Sequence, residues 1–277
     1  MGQLLNTVLS YLQYYAEAGT IYQAHSPALY DFAAQVVEGS VLDEAIFQDI
    51  ENSRITLLAD RSTVDFVELG AGSRSGSQSS KTIRSIAQSS LSGRRQCRQL
   101  AKMVLAYRPS TVVELGTSLG IATMYLAAAD GSTQVHTLEG DPTVAARAQS
   151  LFKQHQLSNI HLHQGPFEQT LEPLLAELSS VDMAFVDGNH SYQPTMDYFH
   201  LLLRYAAEQC VLVFDDIYWS TEMQQAWSDI KAHPQVAHSI DLYHMGVVLV
   251  GSNDRQPAHH HKLIEYKYKP WRIGVFG

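Results

Sequence analysis

The stretch Thr111-Val-Val-Glu-Leu-Gly-Thr-Ser-Leu-Gly120 decides how the rest of the chain is read. Its β-branched apolar run ends at Glu114, breaks into a glycine-punctuated turn and continues as Ile121-Ala-Thr-Met-Tyr-Leu-Ala-Ala-Ala129, the pattern of strand, tight loop and helix. The next apolar run, Gln134-Val-His-Thr-Leu138, ends on Glu139, 23 residues beyond Gly116. An acid at the tip of the second strand of a βαβ unit stands where a carboxylate can accept both hydroxyls of a nucleoside ribose. The spacing predicts a nucleotide-like cofactor.

The glycines separate the candidate cofactors. A dinucleotide loop uses G-x-G-x-x-G, because its second glycine lets backbone approach a pyrophosphate. Here the pattern is Glu114-x-Gly116-x-x-x-Gly120, and no G-x-x-x-x-G-K-[ST] phosphate cradle occurs anywhere. An acid before the first glycine repels a pyrophosphate and suits a cationic ligand. The loop resembles motif I of the class I S-adenosylmethionine-dependent methyltransferases, whose cofactor carries an ammonium and a sulfonium. The resemblance implies that Glu114 faces the methionine end and that Gly116, Thr117, Ser118 and Gly120 border the cofactor, with Gly116 and Gly120 letting it lie against backbone. Glu139 would hold the ribose. A second glycine-rich stretch, Val67-Glu-Leu-Gly-Ala-Gly-Ser73, runs into the polar Arg74-Ser-Gly-Ser-Gln-Ser-Ser80 with no helix pattern and no acid-tipped strand after it. It reads as a loop that folds over the site.

The chain has 277 residues, 45% apolar and 17% charged, with a formal net charge of −9. That composition fits a packed globule and argues against a broad nucleic-acid footprint. Two cysteines, Cys97 and Cys210, fit a reducing compartment rather than a disulfide framework. No apolar run approaches the ~20 residues of a membrane helix, and no signal-peptide pattern opens the chain, so a cytoplasmic protein without a membrane partner is expected. His259-His-His261 reads as a polar surface loop.

Residues 1–95 read as a helical N-terminal extension with a Ser-rich loop at 70–80. Leu4, Leu5, Val8, Leu9 and Leu12 recur at helical spacing, and Ser26-Pro27 opens a second helix that runs through Val37. Tyr11, Tyr14, Tyr15, Tyr22, Tyr30 and Phe32 crowd this extension; packing between helices explains them, and a cap on the acceptor pocket or a homodimer contact is the functional alternative. Residues 80–107 read as helix, with Cys97, Leu100, Ala101 and Val104 on one face. Residues 96–251 form the main domain and 252–277 a tail packed on it. Strands are predicted at 111–115, 134–139, 160–164, 181–187, 211–216, 237–243 and 246–250, with helices between them, Asp141-Pro142 and Ser220 supplying two of the helix starts. Only two residues separate the last two strands, so these must pair antiparallel. The expectation is an α/β doubly wound sheet of seven strands, mostly parallel.

Ligands of open α/β sheets lie beyond the carboxyl ends of the strands. The fourth predicted strand ends Phe185-Val-Asp187 and runs into Gly188-Asn-His190; the fifth ends Phe214-Asp-Asp216. Carboxylates gathered at one edge repel one another unless a cation neutralises them, and an oxygen-rich set suits Mg²⁺. His190 can serve as a general base for the acceptor or can cap the helix that follows. Gly165-Pro-Phe167, after the third predicted strand, stands where this fold commonly holds adenine. Trp219 is a candidate wall of the acceptor pocket, with core packing as the equal alternative.

Glu114-Leu-Gly-Thr-Ser-Leu-Gly120, Asp187-Gly-Asn-His-Ser-Tyr192 and Phe214-Asp-Asp216 together resemble small-molecule O-methyltransferases of the catechol, caffeoyl-CoA and macrocin types over roughly residues 95–250. The likeness extends loosely to uncharacterised bacterial methyltransferases through His25-Ser-Pro27 and Lys269-Pro-Trp271. It implies Mg²⁺ on Asp187, Asp215 and Asp216, Asp187 also touching cofactor, and catalysis by Asp187 and His190. The Asp-Asp pair follows the macrocin type; the Asp-Asn of the catechol and caffeoyl-CoA types is absent. The function expected is methyl transfer from S-adenosylmethionine to a hydroxyl oxygen of a small-molecule acceptor. A non-catalytic S-adenosylmethionine sensor or scaffold is the alternative, and an NAD-dependent oxidoreductase is disfavoured by the glycine spacing.

Overall fold

The structure, a computed structural model, describes residues 2–39, 44–67, 78–251 and 259–271. In chain order its main elements are α1 (Gly2–Glu17), α2 (Pro27–Phe32), α3 (Glu44–Ala59), β1 (Thr63–Val67), β2 (Gln78–Thr82), α4 (Ile83–Ser90), α5 (Arg94–Tyr107), β3 (Thr111–Leu115), α6 (Ile121–Ala129), β4 (Gln134–Glu139), α7 (Pro142–Gln154), β5 (Ile160–Gln164) and α8 (Phe167–Leu178). They continue as β6 (Val181–Val186), α9 (Tyr192–Arg204), β7 (Ala206–Asp215), α10 (Thr221–Lys231), β8 (Val236–Asp241), β9 (Met245–Val250) and β10 (His259–Lys262). The contacts divide the chain into two units, Val41–Asn189 and Met1–Ser40 with His190–Gly277.

In Val41–Asn189 four strands pair in parallel in the order β6-β3-β4-β5. Val112, Val113, Leu115, Val135, Leu138, Met183 and Phe185 are fully buried, as parallel strands covered by crossover helices require. Helix α6 is buried from Ile121 to Ala127, and α5 buries the predicted face of Cys97, Leu100, Ala101 and Val104. The Asp141 carboxylate accepts the backbone N–H groups of Thr143 and Val144, both at 2.8 Å, which starts α7 as its Asp-Pro pair predicts.

Two sequence expectations change here. Residues 80–107 are two helices, because Leu91 and Gly93 are extended between α4 and α5. Of the Ser-rich stretch, residues 68–77, which include most of the second glycine loop, lie outside the described residues. Gln78–Thr82 is strand β2, paired antiparallel with β1.

The edge of this sheet carries an array of histidines. His136 on β4 and His161 on β5 are register partners with rings stacked at 4.7 Å, and His136 Nδ1 lies 3.2 Å from His163 Nε2. Burial, then the neighbouring imidazoles, pushes His136 down to about 4 from 6.5; His163 shifts the same way. The unfolded chain therefore binds more protons between these values, so this contribution to stability is complete above about pH 6.5 and is lost as pH falls through about 4. The melting temperature is expected to fall over that window, and His136→Gln should flatten the fall. An unchanged pH profile in the variant would remove the array as its cause.

In the second unit the strand order is β10-β8-β9-β7, with β9 antiparallel to both β7 and β8 and β10 parallel to β8. All seven predicted strands are present, the pairs among them are mostly parallel, and the predicted last strand runs against its neighbours. This is the mixed α/β arrangement of a Rossmann-like methyltransferase. Strand β7 starts earlier than predicted, at Ala206, since α9 stops at Arg204.

The polar-loop reading of His259-His-His261 is wrong: these residues form β10. His259 stacks on its register partner His238 at 5.5 Å, supplying apolar ring contact that a solvated loop would lack. The tail then reaches α1, with Gly19 N–H donating to the Lys262 carbonyl (2.8 Å) and buried Lys269 donating to the Ala18 carbonyl (2.9 Å). Lys269-Pro-Trp271 thus works as a clasp on the end of α1. Tyr14 and Phe32 are buried, as packing predicts, whereas Tyr11, Tyr22 and Tyr30, like Val8, Leu9 and Leu12, are 43–55% exposed. Among the described residues, no helix is long and apolar enough to cross a membrane.

Candidate cofactor site

The β3–α6 loop turns on a glycine that no other residue could replace. Gly116 has φ +103°, and a Cβ there would lie 2.1 Å from the Asp187 carbonyl oxygen. The loop can therefore press against the end of β6 only without a side chain. Its N–H and that of Thr117 both donate to the Leu138 carbonyl, at 3.0 and 3.1 Å, which joins the tips of β3 and β4. Gly120 has φ +81°, and Phe152 and Ala148 of α7 occupy the space its Cβ would need. Its lack of a side chain thus serves helix packing, a use the sequence reading did not foresee.

Beneath this loop Glu114 is completely buried. One carboxylate oxygen accepts the hydroxyls of Thr123 and, at 2.6 Å, Thr137; Thr117 in turn lies within hydrogen-bond distance of Thr137. The other oxygen is buried with no partner among the described residues. Burial raises the carboxyl to about 7, against the lowering effect of the two threonines, with nearby Glu139 adding to the rise. A half-satisfied buried carboxylate calls for a proton or a cation, since leaving it ionised and unpaired is costly. Thr123 and Thr137 were missed in the sequence. Their signal was there, as polar side chains inside otherwise apolar runs.

Glu139 stands at the tip of β4 as predicted, and it grips backbone. One oxygen accepts the Ser118 N–H (2.8 Å) and the other the Asp141 N–H (2.9 Å). Burial raises this carboxyl too, and the backbone donors oppose the rise. Each carboxylate oxygen has a second lone pair, so holding the loop leaves acceptor capacity for two hydroxyls. Ser118 adopts φ +49°, and its hydroxyl lies 2.7 Å from that of Ser90.

The strand tips on either side complete the cradle. The Gly165 N–H donates to the Glu139 carbonyl (2.9 Å), with Gly165 at φ +139°. Phe167 packs against Gly188, where a Cβ would come within 2.7 Å of its ring. The Asp187 N–H donates to the Leu115 carbonyl (2.9 Å), and its carboxylate accepts the Ser92 hydroxyl at 3.2 Å. Glu114, Gly116, Thr117, Ser118, Glu139, Gly165, Phe167 and Asp187 are thus brought to one end of one sheet. Ser90 and Ser92 join them unforeseen, because a contact across 28 or 95 residues of chain leaves no local pattern.

In the second unit, Asp215 is buried and accepts the Asp216 N–H at 2.8 Å. Asp216 has φ +52°; burial raises its carboxyl and the nearby His190 opposes that rise. The helix beginning at Tyr192 has Ser191 rather than His190 at its cap position. Trp219 is 60% exposed and so is not core. Among the described residues, no group of three or more His, Cys, Asp or Glu side chains draws together in a way that could hold a metal ion. Asp215 ends β7 with Asp216 directly after it, Asp187 follows β6, and no chemical step is assigned to a magnesium ion.

Residues 113–217 match a family model described as a methyltransferase domain. Over these residues the chain is similar to that methyltransferase family. It is 30% identical over 137 residues to uncharacterized protein R132 of Acanthamoeba polyphaga mimivirus, a match covering 45% of this chain and 61% of that protein. Among solved structures it is similar to cofactor-bound Rv0187 from MTB, with TM-score 0.57 and 18% identity over 83% of this chain and 100% of that one. The O-methyltransferase from Bacillus cereus in complex with SAH gives TM-score 0.53 at 15% identity, over 76% of this chain and 93% of that one. TomG, the O-methyltransferase of Streptomyces achromogenes solved with SAM, gives 0.52 at 20% identity, over 58% and 82%. At these identities the structural likenesses speak for the methyltransferase domain's fold.

Proposed function

We propose that the protein transfers a methyl group from S-adenosylmethionine to a small-molecule acceptor, at a hydroxyl oxygen. The observation that carries this is Glu139, held at the β4 tip by the Ser118 and Asp141 N–H groups, beside the Gly116 turn and above the half-satisfied Glu114. That array offers hydroxyl acceptors at one end and a buried negative group at the other, which matches a cationic nucleoside and mismatches a pyrophosphate. The SAH and SAM complexes of the similar proteins support the same choice of ligand.

Glu139 would accept the ribose hydroxyls, Phe167 would cover the adenine, and Glu114 and Asp187 would face the ammonium. The cofactor supplies an activated methyl on sulfonium, so the protein's work is alignment and removal of the acceptor proton. With the cofactor bound, His190 would take the proton that the acceptor hydroxyl loses on methylation.

S-adenosylhomocysteine at about 100 times its dissociation constant should stabilise the fold by ~2.7 kcal/mol, visible as a rise in melting temperature. NAD should give no rise. Asp187→Ala should then lose transfer of labelled methyl from S-adenosylmethionine by 100-fold or more, on the order of 3 kcal/mol of barrier. Stabilisation by NAD alone would defeat the assignment, and a fully active Asp187→Ala would remove Asp187 from the chemistry.

A further inference from the structure

The last residue of α4 and the three-residue link that follows it touch both walls of the cofactor cradle. Ser90 reaches the Ser118 hydroxyl at 2.7 Å, on the loop after β3, and the Ser92 hydroxyl donates to Asp187 at 3.2 Å, at the end of β6. Helical hydrogen bonds hold the two ends of the link, from the Leu91 N–H to the Ala87 carbonyl and from the Cys97 N–H to the Gly93 carbonyl. Between them Arg54 of α3 holds Ser92, its Nη1 donating to the Ser92 carbonyl at 2.7 Å.

Arg54 is itself fixed on every side. Its Nε lies 3.0 and 3.1 Å from the two oxygens of Glu51, and its Nη2 lies 3.4 Å from Cys97 Sγ. The Tyr125 hydroxyl donates to Glu51 at 2.9 Å, and the Tyr125 ring stacks on Phe47 with centroids 4.7 Å apart. The arginine and glutamate side chains are only 11% and 9% exposed. Burial pushes Cys97 up to about 12, so the thiol is neutral, and Glu51 balances the guanidinium charge. A buried ion pair is seldom more stabilising than apolar side chains of the same volume, but it fixes geometry. Here the geometry it fixes is that of the Ser92 backbone.

We propose that Arg54 is a positioning residue of the cofactor site: clamped by Glu51, it sets Ser92, and Ser92 sets the Asp187 carboxylate. This rests on the reading of Asp187 and its surroundings as an S-adenosylmethionine site. All three residues that carry the relay, Arg54, Glu51 and Ser92, precede the stretch that matches the methyltransferase family model. The N-terminal helix α3 is thus part of how this chain prepares its site.

The test is a double-mutant cycle on the full chain, reading the dissociation constant of S-adenosylhomocysteine by calorimetry and the melting temperature without ligand. Ser92→Ala removes the hydroxyl that meets Asp187 and keeps the carbonyl that Arg54 holds. Arg54→Lys keeps the charge and loses the fork. Each is expected to weaken binding about tenfold, the size of a hydrogen bond to a charged group. Because Arg54 acts through Ser92, the double variant should bind no more than about twofold worse than the weaker single variant, far short of the product of the two effects. A merely structural arginine would give multiplied effects, or a lower melting temperature with unchanged affinity, and either result overturns the proposal. Should Arg54→Lys fail to fold, Tyr125→Phe, which loosens Glu51 but keeps the ring stack, replaces it in the cycle with the same expected outcomes. If the wild-type chain binds no S-adenosylhomocysteine, the functional reading fails and the relay fails with it. If the wild type binds and the single variants bind equally well, only the relay fails.

Discussion

Gly116→Ala is expected to destabilise the protein by about 3–5 kcal/mol and to abolish S-adenosylhomocysteine binding. The added Cβ would stand 2.1 Å from the Asp187 carbonyl oxygen, at a φ of +103°. Two penalties add at this position. Any L side chain is strained at that φ, and the clash is with backbone, which has no rotamer by which to escape. Relief requires the loop to lift away from the end of β6, which would break the pair of N–H bonds to the Leu138 carbonyl and carry Ser118 away from Glu139. Stability and ligand affinity should therefore fall together. Gly131→Ala is the control, because a Cβ there meets nothing within 4 Å and its φ is ordinary; it should stay within about 0.5 kcal/mol of wild type. Urea denaturation of the two variants is the measurement. Equal stability would mean that the loop does not take this conformation.

That glycine was conspicuous in the sequence for a reason that goes beyond its identity. The signals read correctly were those whose physics is local: the apolar run into Glu114, the acid at the next strand tip, the Asp141-Pro142 cap and the short connection that forces β8 and β9 antiparallel. Each is decided by a window of a few residues, so composition and spacing carry it. The misread segments depend on distant partners. His259-His-His261 looks like a solvated loop because three imidazoles have no strand pattern of their own; β8 supplies the stacking face that makes them a strand. The break between α4 and α5 hides inside an apparently continuous helical run, and Arg54 holds it from 38 residues away.

The same division runs through the cradle itself. Gly116 and Glu139 announce themselves because their roles are tied to a βαβ unit of fixed length. Gly120 has the right spacing for a cofactor glycine, yet Phe152 and Ala148 claim its space, so spacing located the turn without revealing what the turn accommodates. Ser92 and Arg54 carry no pattern at all. A motif thus marks where a ligand would lie, while the groups that hold the motif rigid are found only through contacts across the chain.

Glu114→Gln tests the electrostatics of that cradle most directly. Burial raises the wild-type carboxyl from 4.5 to about 7, so the folded state holds a proton that the unfolded chain releases between these values. The resulting penalty is absent below about pH 4.5 and complete above about pH 7, where it amounts to ~3 kcal/mol. Glu114→Gln removes it, and the amide oxygen can still accept from Thr123 and Thr137. Relative to wild type, the variant should therefore gain stability on going from pH 5 to pH 8 in the absence of ligand. Binding should move the other way. A cation placed at the unpartnered carboxylate oxygen favours the ionised form, so its binding expels the proton. Wild-type affinity for S-adenosylhomocysteine should then rise between pH 5.5 and 7, by up to about tenfold per unit. In Glu114→Gln the affinity should be flat over that range and at least about tenfold weaker at pH 7, because the negative partner is gone. Calorimetry in buffers of different ionisation enthalpy would count the released proton. A flat wild-type profile with no proton release would place the ammonium elsewhere, and Glu114 would then be a buried acid whose strain serves only the loop above it.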